Sequence, residues 1–251
     1  MEKLFKFTYL QAISCIFPVI IFATLALSNL LSVPYLPRYD FILIICIAAQ
    51  VFMLLSKLET WDEFKVICLF HVIGLGLELF KVHMGSWVYP EEAYSKVFGV
   101  PLYSGFMYAS VASYICQSWR RLDLHINNWP KPFFAYSISI LIYMNFFTHH
   151  YIYDLRWVLK ALLLVIFFRT TVTYKLNEKV YKMPMILSFL LIGFFIWIAE
   201  NIVTFFGAWQ YPNQEQTWSL VSIGKISSWF LLVIISIIIV AQLKQVKSRM
   251  K

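Results

Sequence analysis

The chain has 251 residues, 61% of them hydrophobic and only 14% charged, with a formal net charge of +8. Soluble domains lie nearer about 45–50% apolar and about 25% charged. A water-soluble fold is therefore excluded, and lipid must be the solvent for much of the surface. The positive charge does not mark a nucleic-acid binder, because Lys and Arg collect beside the apolar runs and form no basic stripe elsewhere.

Crossing a bilayer as a helix takes roughly 20 apolar residues, within a range of about 17–25. Eight such runs occur, at 9–31, 40–56, 65–80, 100–119, 133–149, 155–174, 185–206 and 219–241, the second and third being short. They lack the alternation of a barrel strand, and backbone in lipid must satisfy its own hydrogen bonds. The expected fold is all-α, a polytopic transmembrane helix bundle of about eight spans forming a single integral membrane domain over 1–251. The first run follows Lys3 and Lys6 as a signal peptide would. It is too long and has no small-x-small cleavage site after it, so an uncleaved helix is expected.

With eight spans, the side holding both termini carries fifteen Lys and Arg, and the opposite side six: Arg38, Lys81, Lys96, Arg156, Lys160 and Lys225. The positive-inside rule then predicts a multi-pass protein of the cell membrane with N- and C-termini cytoplasmic. The basic tail "KQVKSRMK" reads as a stop-transfer flank touching anionic lipid. Cys15, Cys46, Cys68 and Cys116 all fall in apolar runs without a CxxC pair, as buried thiols packing like small hydrophobes would.

One phrase occurs twice. "ELFKVHMGSWVYPEE" (78–92) and "ENIVTFFGAWQYPNQ" (200–214) both read Glu, six residues, Gly, one residue, Trp, one residue, Tyr-Pro, at an offset of 200 − 78 = 122. The offset matches Glu78 with Glu200, Gly85 with Gly207, Trp87 with Trp209, Tyr89 with Tyr211 and Pro90 with Pro212. Four crossings separate the copies in the eight-span reading, which predicts two parallel four-helix repeats, roughly 1–125 and 126–251. Gly ends a helix, Trp and Tyr suit the membrane interface, and Pro stops the helix from resuming. A carboxylate inside a span is costly and tends to face a partner or cavity. Lys81 lies within reach of Glu78 at i+3, whereas Glu200 has no cation near it in sequence and must find its partner in another span.

Other polar groups gather toward the same face. Asn145 and His149 are four apart at the end of the fifth run, and Asp154 suits the N-cap of the sixth. Arg156, Lys160 and Lys225 stand near helix starts on the cation-poor side, where the helix dipole disfavours them. They suggest a charge-balanced cluster with Glu78, Glu91, Glu92 and Glu200. His71, in the middle of the third run, lies on a face with Cys68 and Glu78 and could carry protons toward the latter, or sit neutral between helices. His149, His150 and His83 are weak candidates for a metal, since no HExxH, HxxxH or repeated ExxH spacing accompanies them.

"GSWVYPEE", "GVPLYSGFMYASVASYICQSWR", "NFFTHHYIYDLRW" and "FIWIAENIVTFFGAWQYP", with "SWFLLVIIS" near the end, resemble the bacterial YoaT-like membrane family, domain of unknown function 817. The resemblance covers nearly the whole chain and implies an inner-membrane architecture without a catalytic assignment. A more distant analogy runs to small carotenoid cyclases and hydratases, whose Pro-Glu-Glu-type motif is matched by "YPEE" but not by "YPNQ".

Two readings stay open. In the first, the chain is a membrane-embedded acid/base enzyme acting on a lipid or isoprenoid. Glu78 and Glu200 transfer protons there, and Asn145 and His149 orient the reacting group. Arg156, Lys160 and Lys225 hold an anionic headgroup, and Trp87, Trp209, Tyr89 and Tyr211 line the apolar approach. In the second, it is a proton-coupled transporter of a small solute using His71 and Glu78, which requires a polar path continuing past His71. A membrane scaffold or assembly factor is a further alternative. Phosphate-loop and dinucleotide signatures are absent, so no nucleotide cofactor is expected.

Overall fold

A computed structural model describes residues 2–31, 33–176 and 179–249, with side chains described between 5 and 241. The helices are α1 (Glu2–Ser14), α2 (Ile16–Leu27), α3 (Arg38–Leu55), α4 (Trp61–His83), α5 (Ser104–Arg121), α6 (Pro132–Thr148), α7 (Arg156–Phe167), α8 (Met185–Phe205) and α9 (Gly224–Arg249). Short strands join them: β1 (Lys96–Val97), β2 (Val100–Pro101), β3 (His125–Asn127), β4 (Thr171–Leu176) and β5 (Lys179–Pro184).

Among the described residues, α3, α4, α8 and α9 are long and apolar enough to cross a membrane. A fifth span results if α1 and α2, bent by 66° at their junction, count as one. The expected eight spans are thus reduced to four or five on length and composition. Helix α6 has the right character but only 17 residues. Helix α5 covers most of 100–119, yet it buries Ser104, Ser110, Ser113 and Gln117 and so is not uniformly apolar.

The run 155–174 departs most from expectation. Helix α7 stops at Phe167 after 12 residues, about 18 Å of helix against a hydrocarbon core of about 30 Å. The chain then turns into the antiparallel hairpin β4–β5, with β3 paired on the other side of β4. The reason is legible in "TVTYKL": Val172, Tyr174 and Leu176 fall on one face and Thr171, Thr173 and Lys175 on the other, a period-two pattern of β-branched and aromatic residues. The basic tail lies outside the residues whose side chains are described.

Two compact units divide the chain. One comprises 12–117 and 199–221, the other 1–11, 118–198 and 222–251. The second copy of the repeated phrase thus belongs with the first. In the first unit the core is built from Phe17, Ile21, Leu25, Ile42, Met53 and Ile67, all at most 2% exposed. Helices α4 and α5 approach through small residues. A Cβ on Gly74 would stand 2.4 Å from the Tyr108 ring, and one on Gly105 would stand 2.8 Å from the His71 ring. In the other unit, Phe167, Phe189 and Phe230 pack edge to face at 5.5 and 6.1 Å. Gly193 there lets α8 come close to the α9 backbone.

Candidate functional site

The site grows from two helix ends. Helix α4 starts at a capping box between Thr60 and Glu63 and runs to His83. At its far end Gly85 adopts φ 68°, its N–H bonds the Val82 carbonyl and the Ser86 N–H bonds the Lys81 carbonyl. Helix α8 ends in the same way: Gly207 has φ 70°, its N–H bonds Thr204 and the Ala208 N–H bonds Val203. Both are Schellman terminations, in which a left-handed residue lets the chain fold back over the last carbonyls. Three residues after each glycine the copies meet as antiparallel backbone, Val88 and Gln210 exchanging a pair of 2.9 Å hydrogen bonds.

This turn returns each copy's aromatic residues onto its own glutamate. The Glu78 carboxylate is 3% exposed and accepts three hydrogen bonds. Trp87 Nε1 and the Tyr89 hydroxyl donate to Oε2 at 2.7 Å each, and the Tyr108 hydroxyl donates to Oε1 at 2.8 Å. Glu200, also 3% exposed, accepts a hydrogen bond from the Tyr211 hydroxyl. The Glu-to-Tyr spacing is eleven residues in both copies. The second copy differs in its tryptophan, for Trp209 sits beside the Tyr211 hydroxyl. The copies also touch through side chains, with the Trp87 and Tyr211 rings 5.9 Å apart.

Burial raises the Tyr89 and Tyr211 hydroxyls well above the ordinary tyrosine range, and the glutamate each one bonds adds to the effect. Tyr211 feels Glu200 and, more weakly, Glu78. Both phenols therefore stay protonated donors at neutral pH. Tyr39, Tyr89 and Tyr103 pack as an aromatic group beside them, with centroids 5.3–6.1 Å apart. The Tyr103 hydroxyl bonds the Ala208 carbonyl at 2.7 Å, whereas the buried Tyr39 hydroxyl has no partner.

Arg38, absent from the sequence-based site, ties these parts together. Its Nε donates to Ser28 Oγ, one terminal nitrogen to Glu91 and the Gly207 carbonyl, and the other to the Leu25 and Phe206 carbonyls. One guanidinium thus closes the carbonyl ends of α2 and α8 and neutralises Glu91, which no lysine fork could match. Asp40 accepts the Tyr94 and Ser95 N–H groups at 2.8 Å, and Lys96 donates to the Tyr89 and Glu91 carbonyls, so the loop after "YPEE" is anchored from both sides.

Several sequence expectations change here. The donors on Glu78 are neutral, and Lys81 is buried with its ammonium 5.9 Å from the Phe80 ring centroid. Glu200 finds a partner in the loop that follows it, the Tyr211 hydroxyl. His71 Nδ1 is buried with no partner, its ring edge-on to Phe106 at 4.5 Å. It stands seven residues from Glu78, about 10 Å along the helix.

The remaining predicted site residues belong to the other unit and latch one turn. Asn145 Oδ1 accepts the Leu155 N–H at 2.9 Å, its Nδ2 donates to Asp154, and its carbonyl lies 3.0 Å from His149 Nδ1. Asp154 accepts both the backbone N–H and the Nε of Arg156, at 3.0 and 2.5 Å. It caps the start of α7 from one position ahead of the formal N-cap, Leu155. Burial alone would raise its carboxyl, but the bonds from Arg156 and Asn145 outweigh that and hold it below the usual range. Arg156 also reaches Ser228 at 3.2 Å, and Lys160 lies 3.3 Å over the Trp157 ring. Arg38 pairs with Glu91 and Arg156 with Asp154. Lys225 lies half-buried in the first turn of α9. The His149 and His150 rings lie 4.1 Å apart and tilted by 37°, His83 is exposed at the end of α4, and no three His, Cys, Asp or Glu side chains converge for a metal among the described residues.

A mostly helical chain with several apolar helices of membrane length is compatible with a helical membrane protein, here one holding two buried carboxylates under aromatic donors. The chain belongs to the family described as "Protein of unknown function (DUF817)", whose model matches residues 3–237. It is similar to "Uncharacterized protein YoaT" of Bacillus subtilis (strain 168), 62% identical over 248 residues, covering 99% of this chain and 94% of the relative. No solved structure matches it.

Proposed function

We propose that this chain is a multi-pass protein of the bacterial inner membrane that couples proton movement to transport of a small solute, with Glu78 and Glu200 as its buried protonation sites. The observation that carries this reading is the sealed hydrogen bonding of Glu78. Three protein donors enclose a carboxylate that is 3% exposed, a setting for holding and releasing a proton without touching substrate. The polar groups also continue on the same helix packet. His71 presents an unpartnered nitrogen midway along α4, and Gln50, Glu59, Glu63 and Gln117 are buried toward the helix start. These buried polar groups support a continuation past His71 of the kind transport requires.

The test is proton flux by the full chain in lipid vesicles containing a trapped pH dye, under an imposed pH gradient and a panel of solute gradients. Wild type should dissipate the gradient with at least one solute, and Glu78→Gln and Glu200→Gln should slow this at least tenfold. Wild-type vesicles as tight as protein-free ones across the whole panel would sink the reading.

Acid/base catalysis on a membrane lipid or isoprenoid is the second reading, favoured by one observation. The buried, partnerless hydroxyl of Tyr39 beside Tyr89 and Tyr103 offers a hydrogen bond that a substrate oxygen would complete.

A further inference from the structure

Glu59 connects α3 to α4 and is 3% exposed, although nothing in the repeated phrase points to it. Its Oε2 accepts Gln50 Nε2 of α3 at 2.6 Å, and its Oε1 accepts the Ser113 hydroxyl of α5. Gln117, one helical turn beyond Ser113, is buried on the same side of α5. The titratable neighbour acting on it is Glu63, in the first turn of α4, whose own carboxylate is engaged in the capping box. The cluster lies at the opposite end of α4 from Glu78, 78 − 59 = 19 residues away, which is about 28 Å of helix.

The chemistry of these partners differs from that around Glu78. There Trp87 can only donate, whereas both bonded partners of Glu59, an amide and a hydroxyl, can donate or accept. Gln50 already displays both faces. Its nitrogen serves the carboxylate while its Oε1 is buried with no partner, the residue being 6% exposed. A carboxylate takes the amide N–H, and a protonated carboxyl would instead give its proton to the amide oxygen after rotation of the side chain. The Ser113 hydroxyl can turn in the same way. The carboxyl group itself can therefore be hydrogen-bonded in either protonation state, a condition a merely structural buried carboxylate has no need to meet.

We infer that Glu59, flanked by Gln50, Ser113 and Gln117, is a second proton-binding site at the far end of α4 from Glu78. The inference rests on the transport reading, giving it a proton station near the opposite membrane face. Burial favours the protonated form first, and Glu63 pushes the same way, while the bonds from Ser113 and Gln50 oppose them. The carboxyl stays above the ordinary glutamate value of 4.5.

The experiment is an infrared pH titration of the purified full-length protein in lipid nanodiscs. The wild type should show a protonated-carboxyl band that persists above the ordinary glutamate range and vanishes in Glu59→Gln. Ser113→Ala and Gln50→Leu remove donors to the charged form, so each should move the midpoint of that band upward. A band unchanged in Glu59→Gln, or one titrating with the exposed carboxylates, would overturn the inference. So would a midpoint that moves with sodium at constant ionic strength, since Glu59 would then hold a metal cation. The vesicle flux of Glu78→Gln separates the two ideas. A Glu59 band without any Glu78-dependent flux overturns the transport reading alone, and Glu78-dependent flux without a Glu59 band overturns the proton station alone.

Discussion

At the scale of single residues, the glutamates and their aromatic partners differ in how far they could be read from sequence. Trp87 and Tyr89 follow Glu78 in the repeated phrase, so their convergence needed only a helix end and a tight return. Tyr108 and Arg38 were not legible. Tyr108 reaches Glu78 from 30 residues away, and Arg38 reaches the Phe206 carbonyl from 168 away, contacts fixed by helix packing and not by local pattern. Tyr211 supplies a prediction. Its hydroxyl is raised well above 10 by burial and by Glu200. Below pH 10 it is protonated folded and unfolded, so its contribution is intact; as pH climbs further the unfolded phenol ionises first and that contribution is lost. Tyr211→Phe should therefore cost about 1–3 kcal/mol at pH 7, and the gap to wild type should narrow above pH 10. Thermal midpoints in detergent from pH 7 to 11 measure both. A gap that is constant with pH would show that the hydroxyl's bond to Glu200 does not hold the proton.

Elements were more legible at their ends than in their number. Gly85 and Gly207 announced where α4 and α8 stop, and both helices stop there. The run 155–174 was read as one span because its apolar content masked a change of period, from helical in "RWVLKALLLVIF" to alternating in "TVTYKL". Glycines of two kinds should now separate on mutation. At Gly85 a Cβ meets nothing within 4 Å, and at Gly207 only an ordinary contact at 3.8 Å. Gly85→Ala and Gly207→Ala should then each cost about 1–2 kcal/mol, the price of the left-handed backbone alone, with Asn tolerated better. Gly74→Ala places a Cβ 2.4 Å from the Tyr108 ring, within the α4–α5 contact. It should be the worst of the three, about 3 kcal/mol or more as overpacking, and it should withdraw Tyr108 from Glu78. Equal thermal midpoints for the three variants would argue against this ranking.

At the scale of the whole molecule, length and composition mark no span between α4 and α8 among the described residues, since α5 is too polar, α6 has 17 residues and α7 has 12. The paired helix ends constrain the answer more tightly. The C-terminal ends of α4 and α8 meet through Val88 and Gln210, so two spanning helices that end there run toward the same membrane face. The chain leaving α4 at that face must enter α8 from the other, which requires an odd number of crossings among α5, α6 and α7. Adding α8, α9, α3, α4 and the bent α1–α2 pair as one span gives five more, so the total is even. That count predicts both termini on one side, and the excess of Lys and Arg predicts the cytoplasm for it. Composition weighs each helix alone and misses this, because hydrogen bonds within a packed unit can hold a short or polar helix at membrane depth. Fusing a reporter that is active only in the cytoplasm to either end should give signal at both. Signal at one end only would mean an odd count, and the bent α1–α2 pair would then be the first element to reassign, as a re-entrant or interfacial segment.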